Sequence, residues 1–268
     1  MEILEQDKIY VPCNLCGLDA PSQLYQKDGY HIVRCANCRL VYMNPRLIIE
    51  KQNKVYTDGD YSAGYIQKSE SKRRRAKKIL RGISRYKKGG RFLDIGCSAG
   101  FILEAARNVG FDPYGVEISP IGYKFAREEL KLNVFAGFLE DAHFPDAFFD
   151  VVTIYHVIEH VPDPSAVFKE IRRILKSDGL LEVWTPNVGH RNVRRQGAKW
   201  AGFISDHFYY FDIQSLGKFL EKVGMRVLKN QFTLKDGLKV YAGVNNGQIS
   251  PKRPLFNRVK DLFSVPSQ

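Results

Sequence analysis

Phe92-Leu93-Asp94-Ile95-Gly96-Cys97-Ser98-Ala99-Gly100 is the stretch that decides how this chain folds. It opens as a short apolar strand carrying one acid, and it ends in a turn with a glycine at each end. Glycine lets the backbone pass close to a ligand where a Cβ would collide. Downstream the pattern alternates. Gly100 to Val109 reads as a helix stopped by Gly110, and Pro113 to Ile118 as a second strand. Ser119 is placed to cap a helix with Pro120 at its first position, running to about Leu130. Asn133 to Ala136 is a third short strand. Asp150 to Tyr155 is β-branched and apolar, as a buried parallel strand should be. Pro164 to Leu175 is a helix closed by Asp178-Gly179, Leu180 to Thr185 a fifth strand, and Asp212 to Val223 a helix ended by Gly224. Met225 to Phe232 and Leu238 to Ala242 form a closing hairpin over Lys235-Asp236-Gly237. The expectation is a Rossmann-like α/β fold: a seven-stranded, mostly parallel sheet with helices on both faces and one antiparallel strand.

In such a sheet a ligand sits at the carboxyl ends of the strands, where the strand order reverses. The glycine turn feeds a helix N-terminus, whose unpaired N–H groups favour a carboxylate. Glu117 ends the second strand, where an acid can accept from both ribose hydroxyls of an adenosyl group. A dinucleotide would also suit Glu117. Asp94 argues against it, because the turn is Asp-x-Gly-x-x-x-Gly and not Gly-x-Gly-x-x-Gly. A carboxylate there suits a cofactor bearing an amino group, and the helix N-terminus suits one bearing a carboxylate. S-adenosyl-L-methionine has both.

Four segments in order carry a resemblance: Asp94 to Gly100, Gly115-Val116-Glu117-Ile118-Ser119, Phe144 to Val152, and His156-Val157-Ile158-Glu159-His160-Val161-Pro162. Together they resemble the class I S-adenosylmethionine-dependent methyltransferases, with the ubiquinone-biosynthesis O-methyltransferases and related bacterial small-molecule enzymes nearest in pattern. The resemblance covers Arg91 to Val244. It implies a cofactor site of Asp94, Gly96, Cys97, Gly100, Glu117, Ile118, Phe138, Leu139 and Tyr155. It departs at Gly137-Phe138-Leu139-Glu140-Asp141, where such enzymes often carry Gly-Asp with the acid near adenine. Phe138 accepts no hydrogen bond, so stacking and backbone groups are expected there, with Leu139 or Glu140 left open as the polar contact.

Cys13-x-x-Cys16 and Cys35-x-x-Cys38 are separated by 18 residues, within the spacing of a four-thiolate zinc site. Each pair forms a tight knuckle, and Gly17 eases the first. Four thiolates close a tetrahedral shell, so the expected role of Zn2+ is structural. A similar module, ending in a stretch like Leu40 to Arg46, precedes the methyltransferase domain in many bacterial enzymes that resemble this chain, several of them enzymes of sugar, polysaccharide or secondary metabolism. The layout read from the sequence is a zinc module at 1–45, a helical linker with a basic helix at 46–90, the methyltransferase domain at 91–245 with a pocket-covering segment at 190–211, and a basic tail at 246–268.

An oxygen or carbon acceptor needs a base, or a metal that lowers its pKa. His156 and His160 follow the fourth strand, with Glu159 beside them. In quinone-type enzymes a Glu-His pair here assists a metal or shapes the pocket. His207 lies in the aromatic stretch Trp200 to Phe211, where the family usually builds the acceptor pocket, and long aromatic loops over a sheet end are unusual without a function. His207 is the expected catalytic base, followed by His160, with His156 expected to point into packing.

The chain carries a formal net charge of +12, with 41 Lys and Arg against 29 Asp and Glu. Much of the excess sits in one run, Lys72, Arg73, Arg74, Arg75, Lys77, Lys78 and Arg81, which reads as the solvated face of a helix whose apolar edge is Ile79, Leu80 and Ile83. Two rivals follow. One is a ribosomal- or transfer-RNA methyltransferase that grips nucleic acid with this run and the zinc module; its amino-methylating signature is absent, since Thr185-Pro186-Asn187 does not match it. The other is a non-catalytic scaffold, against which Asp94, Gly96, Gly100 and Glu117 all stand. No apolar run reaches the roughly 18 residues of a membrane span, and no secretory leader is visible. The cytoplasm is the expected compartment and a small molecule the expected methyl acceptor. The tail Pro251 to Phe263 mixes basic and apolar residues, as a membrane-surface helix does.

Overall fold

The computed structural model describes residues 5–57, 61–233, 236–247 and 249. Short N-terminal strands come first: β1 (Lys8–Ile9), β2 (Pro21–Lys27), β3 (Tyr30–Cys35), β4 (Val41–Met43) and β5 (Arg46–Leu47). Three helices follow, α1 (Ile49–Thr57), α2 (Tyr61–Gln67) and α3 (Ser69–Ile83). The alternating region then runs β6 (Gly90–Ile95), α4 (Phe101–Arg107), β7 (Phe111–Glu117), α5 (Pro120–Glu128), β8 (Asn133–Ala136), β9 (Phe149–Tyr155), α6 (Pro164–Ile174) and β10 (Leu175–Pro186). It closes with α7 (Arg191–Gln196), β11 (Tyr209–Tyr210), α8 (Ile213–Lys222), β12 (Met225–Phe232) and β13 (Gly237–Val244).

Seven strands form the main sheet in the order β12-β13-β10-β9-β6-β7-β8. β13 is antiparallel to both neighbours, and the pairs on the other side are parallel. This is the expected sheet with its single reversed strand. The chain leaves β6 toward β7 and β8, then returns to β9 on β6's other side. The strand order therefore reverses between β6 and β9, and a crevice opens there at the carboxyl ends. The caps fall where the sequence put them. Ser119 accepts from the Gly122 amide with Pro120 at the first turn, and Asp212 and Ser215 form a reciprocal capping box on α8.

The N-terminal module is not a separate body. Its sheet has the order β11-β4-β3-β2, so Tyr209 and Tyr210 of the expected pocket cover pair with Tyr42 and Val41. One apolar cluster runs from Cys13, Leu15, Cys35 and Tyr42 into Ile154, Phe168 and Leu216 of the catalytic layers. Asn14, between the first two cysteines, is bound to the start of α6: its amide donates to Asp163 at 2.8 Å and its carbonyl accepts from the Ser165 N–H at 3.0 Å.

The aromatic stretch forms that seam. Trp200, Phe203, Phe208, Tyr209, Tyr210 and Phe211 are all buried. Trp200, Phe203 and Tyr210 pack with Ile32 and Val41 of the module. Burying each such ring contributes about 1.5–3 kcal/mol to the join.

The basic run corrects an expectation, that it is one solvated helix face. Arg74, Lys77, Lys78 and Arg81 are exposed. Arg73 instead clasps Glu104 of α4 through two hydrogen bonds, 2.6 and 3.2 Å, with its guanidinium over Phe101, and Arg75 lies 4.2 Å over Trp184. Ala76, Ile79, Leu80 and Ile83 form the buried edge as read. No helix among the described residues is long and apolar enough to cross a membrane. The tail from 250 onward, with its suggested membrane helix, lies outside the described residues.

Candidate cofactor and acceptor site

The glycine turn leaves β6 at the crevice. Gly96 has φ +72°, and a Cβ there would run into the Val157 side chain of the facing loop. Gly100 has φ +79° and heads α4. Both glycines are thus required by backbone geometry at the place where a ligand is expected. Cys97 turns inward: its sulfur packs where a Cβ on Gly115 would stand, and burial pushes its thiol well above the ordinary value. It offers the site its backbone and no thiolate.

Two acids flank the turn. Asp94 is buried and accepts from Thr153 Oγ1 at 2.7 Å. Burial pushes its carboxyl up to about 7, opposed by the Thr153 hydrogen bond and reinforced by the charge of Glu117. Glu117 is 8% exposed, and its two oxygens accept from the Ser98 N–H at 2.6 Å and the Ser119 N–H at 2.7 Å. It therefore pins both the glycine turn and the start of α5, a bracing role that the sequence reading did not include. Each carboxylate oxygen keeps a further lone pair for a ligand hydroxyl. Burial raises the Glu117 carboxyl, opposed by these amide bonds.

Around this pair, Ile118 is half-buried, Phe138 is 39% exposed, and Leu139 is buried in the core. Of the two residues left open for the polar contact after β8, only Glu140 is exposed. Tyr155 ends β9 with its hydroxyl buried and, among the described residues, without a hydrogen-bond partner, its ring against Trp184.

Three histidines surround one buried acid beyond the end of β9. Glu159 is 1% exposed, and Thr185 Oγ1 donates to its Oε2 at 2.9 Å. Burial opposes its charge, but His156 first, then His160 and His207, outweigh that and hold the carboxyl at about 2. His207 is 6% exposed. Its Nδ1 is 2.9 Å from the Gly202 carbonyl, and burial, then His160, press its imidazole down to about 4. His160 Nδ1 lies 2.8 Å from the Asp206 carbonyl, and the His160 and His207 rings meet edge to face at 4.6 Å. Donor atoms of Glu159, His160 and His207 lie within 4.8 Å of one another. His156, expected in packing, is the exposed member, with a side chain 41% accessible.

Several positioning residues carried no sequence signal. Gln52 of α1, 2% exposed, donates to the carbonyls of His160 at 2.7 Å and Asp206 at 3.2 Å. Buried Arg46 donates to the Pro162 carbonyl and the Tyr209 hydroxyl, each at 2.9 Å, with its guanidinium over Phe208. Thr153 read only as part of a buried strand.

The four cysteine sulfurs Cys13, Cys16, Cys35 and Cys38 lie within 4.8 Å of one another, with three of the residues buried. Burial pushes the Cys13 and Cys38 thiols up. Four converging sulfurs, with Cys16 the partly exposed one, fit a tetrahedral thiolate shell around one metal ion.

A doubly wound sheet with one reversed strand, a glycine turn at its switch point and an acid closing the next strand defines a protein built to hold an adenosyl-type cofactor. Residues 69–230 match the methyltransferase domain family, and the chain belongs to that family. A ubiquinone biosynthesis O-methyltransferase of Glaesserella parasuis is 30% identical over 109 residues, 37% of this chain and 46% of the relative. A 2-methyl-6-phytyl-1,4-hydroquinone methyltransferase of Synechocystis is 36% identical over 107 residues, 38% of this chain and 34% of the relative. The match thus spans less than half the length of these curated relatives. Among solved structures, the complex between the Haloferax volcanii Trm112 methyltransferase activator and a methyltransferase matches with TM-score 0.58 and 19% identity, over 71% of this chain and 97% of that one. An Archaeoglobus fulgidus S-adenosylmethionine-dependent methyltransferase matches with TM-score 0.53 and 20% identity, over 73% and 99%. These solved structures share the fold.

Proposed function

We propose that this chain transfers the methyl group of S-adenosyl-L-methionine to an oxygen or carbon of a small-molecule acceptor. The observation that carries the reading is the pairing of the Gly96–Gly100 turn with buried Glu117 at the β6/β9 switch point. The bound cofactor supplies an electrophilic methyl on a sulfonium sulfur. Glu117 holds the ribose hydroxyls, the amides at the start of α4 take the carboxylate, and Asp94 faces the amino group. Gly96, Gly100, Ile118, Phe138 and Tyr155 shape the pocket, Cys97 contributes main chain, and Leu139 backs it from the core. His160 and His207 form the acceptor wall with Glu159 behind them. The protein's work is alignment and exclusion of water.

The acceptor class we favour is quinol-like, supported by the names of the curated relatives; a sugar or a secondary metabolite is the neighbouring possibility. We assign one structural Zn2+ to Cys13, Cys16, Cys35 and Cys38, a role that suits the reduced thiols of a cytoplasmic protein. The test is calorimetry with S-adenosylhomocysteine and NAD, followed by a radiolabelled methyl-transfer assay on catechol, hydroquinone and nucleotide-sugar probes. Binding of NAD in preference to S-adenosylhomocysteine overturns the reading.

One observation favours a second reading, RNA as acceptor: Arg74, Lys77, Lys78 and Arg81 form an exposed basic face on α3. A phosphate grip loses affinity with a log–log salt slope near minus one per neutralised phosphate. Affinity for a transfer-RNA pool that is weak and lacks this slope removes it.

A further inference from the structure

His156 stands at the end of the central strand in a backbone conformation that side chains seldom adopt. Its φ is +54°, a region in which histidine occurs mainly where neighbours over-determine it, and such strain gathers at functional sites. Its place is fixed from both sides. The His156 N–H donates to the Trp184 carbonyl at 2.7 Å, and the ring lies 5.7 Å from the Trp184 ring. Ile95 pairs in register with Ile154, so His156 emerges beside the glycine turn, and Val157 is the residue that a Cβ on Gly96 would strike.

Behind the ring sits Glu159. His156 Nδ1 lies 3.3 Å from Glu159 Oε1, close enough for an ion pair. Among the described residues Oε1 is a buried oxygen with no other hydrogen-bond partner. A buried, ionised carboxylate with one oxygen fixed by Thr185 and the other turned to an exposed imidazole is built to stabilise that imidazole when it takes a proton. The other two histidines are placed differently. His160 Nδ1 faces Asp206, its main-chain carbonyl at 2.8 Å and its carboxylate at 3.6 Å, and is less than half as exposed as His156, while His207 Nδ1 engages the Gly202 carbonyl in a buried position.

Resting on the methyl-transfer reading above, we infer that His156, oriented by Glu159, is the catalytic base that takes the acceptor's proton. With a hydroxyl acceptor the O–H proton passes to Nε2 of His156. The electron pair of that bond becomes the new oxygen–methyl bond, and the pair of the sulfur–methyl bond stays on sulfur, leaving a neutral thioether. Glu159 keeps its negative charge throughout and faces the imidazolium.

Sinefungin tests this without knowledge of the acceptor, because it carries an amine-bearing carbon where the cofactor has its methyl-bearing sulfur. A base beside the methyl position accepts a hydrogen bond from that amine, while S-adenosylhomocysteine makes no such contact. His156→Asn keeps a side chain that tolerates positive φ. It is expected to weaken sinefungin by roughly tenfold or more in calorimetry, with S-adenosylhomocysteine changed less than about twofold. Glu159→Gln should move the ratio in the same direction. An unchanged ratio in His156→Asn overturns the assignment, as does an equal loss in His207→Ala. If wild-type protein binds neither ligand, the cofactor reading itself fails, a different result from failure of the base.

Discussion

Gln52 and His160 meet across 2.7 Å, the Gln52 amide donating to the His160 carbonyl while also reaching the Asp206 carbonyl. One side chain from α1 thereby ties the loop after β9 to the loop that carries His207. Gln52→Ala takes a donor from both carbonyls, the Asp206 one keeping His160 Nδ1 at 2.8 Å, and costs about 1–3 kcal/mol. Chemical denaturation should show that loss, and calorimetry should show S-adenosylhomocysteine affinity nearly unchanged, since the Gln52 hydrogen bonds run to His160 and Asp206. A cofactor affinity that falls with the stability would mean that the two halves of the site are not separable.

Glu117→Ala should weaken S-adenosylhomocysteine roughly ten- to a hundredfold, the worth of a charged hydrogen-bonding partner. Stability should fall too, because the Ser98 and Ser119 amides lose their acceptor. Calorimetry and a melting curve on the same preparation separate the two effects. Full affinity in the variant would refute the ribose assignment.

Asp94 gives the free protein a pH signature. Its carboxyl is raised from 3.8 to about 7 by burial, so between those values the folded chain holds a proton that the unfolded chain has released. Stability from this group therefore declines as pH rises from about 4 to about 7. A ligand ammonium facing Asp94 favours the charged form, so cofactor affinity should climb over the same window. Asp94→Asn should flatten both trends in denaturation and calorimetry series. A cofactor affinity independent of pH from 5 to 7.5 would count against Asp94 facing the amino group.

Removing the metal should affect more than the module. Protein purified without chelator is expected to contain one zinc per chain by elemental analysis. Because β11 completes the module's sheet and the cores are continuous, chelation should lower the melting temperature of the whole chain in one transition. A separate early transition with the main one unmoved would show an independent module.

On α3 the exposed and engaged cations should part company. Lys77→Glu, Lys78→Glu and Arg81→Glu together should leave stability and cofactor binding intact, and should abolish activity only if RNA is the acceptor. Arg73→Glu replaces the clasp on Glu104 with a like-charge pair and should cost on the order of 1 kcal/mol at this half-exposed site. Equal melting of Arg73→Glu and wild type would show the clasp to be idle.

The sheet and its cofactor turn were legible because their signals are local. Asp94 to Gly100 and the apolar strand ending at Tyr155 each announce themselves within a few residues, as does the reversed strand from its hairpin. The clustering of the four cysteines was legible from spacing alone. The histidine arrangement was not, since a positive φ at His156 swings that side chain outward and nothing in the surrounding letters demands it. Nor was β11, two aromatic residues with no alternation to mark them, paired far along the chain with Tyr42 and Val41. Arg73 and Arg75 read as solvent-facing because their partners, Glu104, Phe101 and Trp184, stand on other elements.

The pairing of Tyr210 with Val41 also sets an order of events as the chain is made. The cysteine-bearing strands emerge early, but the strand that covers the edge of β4 follows about 170 residues later, and so non-local a contact forms late in folding. Until then β4 presents unpaired amides and carbonyls, a surface that invites pairing with another chain. Truncations that stop before residue 209 should therefore aggregate through the N-terminal sheet even when their cysteines are intact.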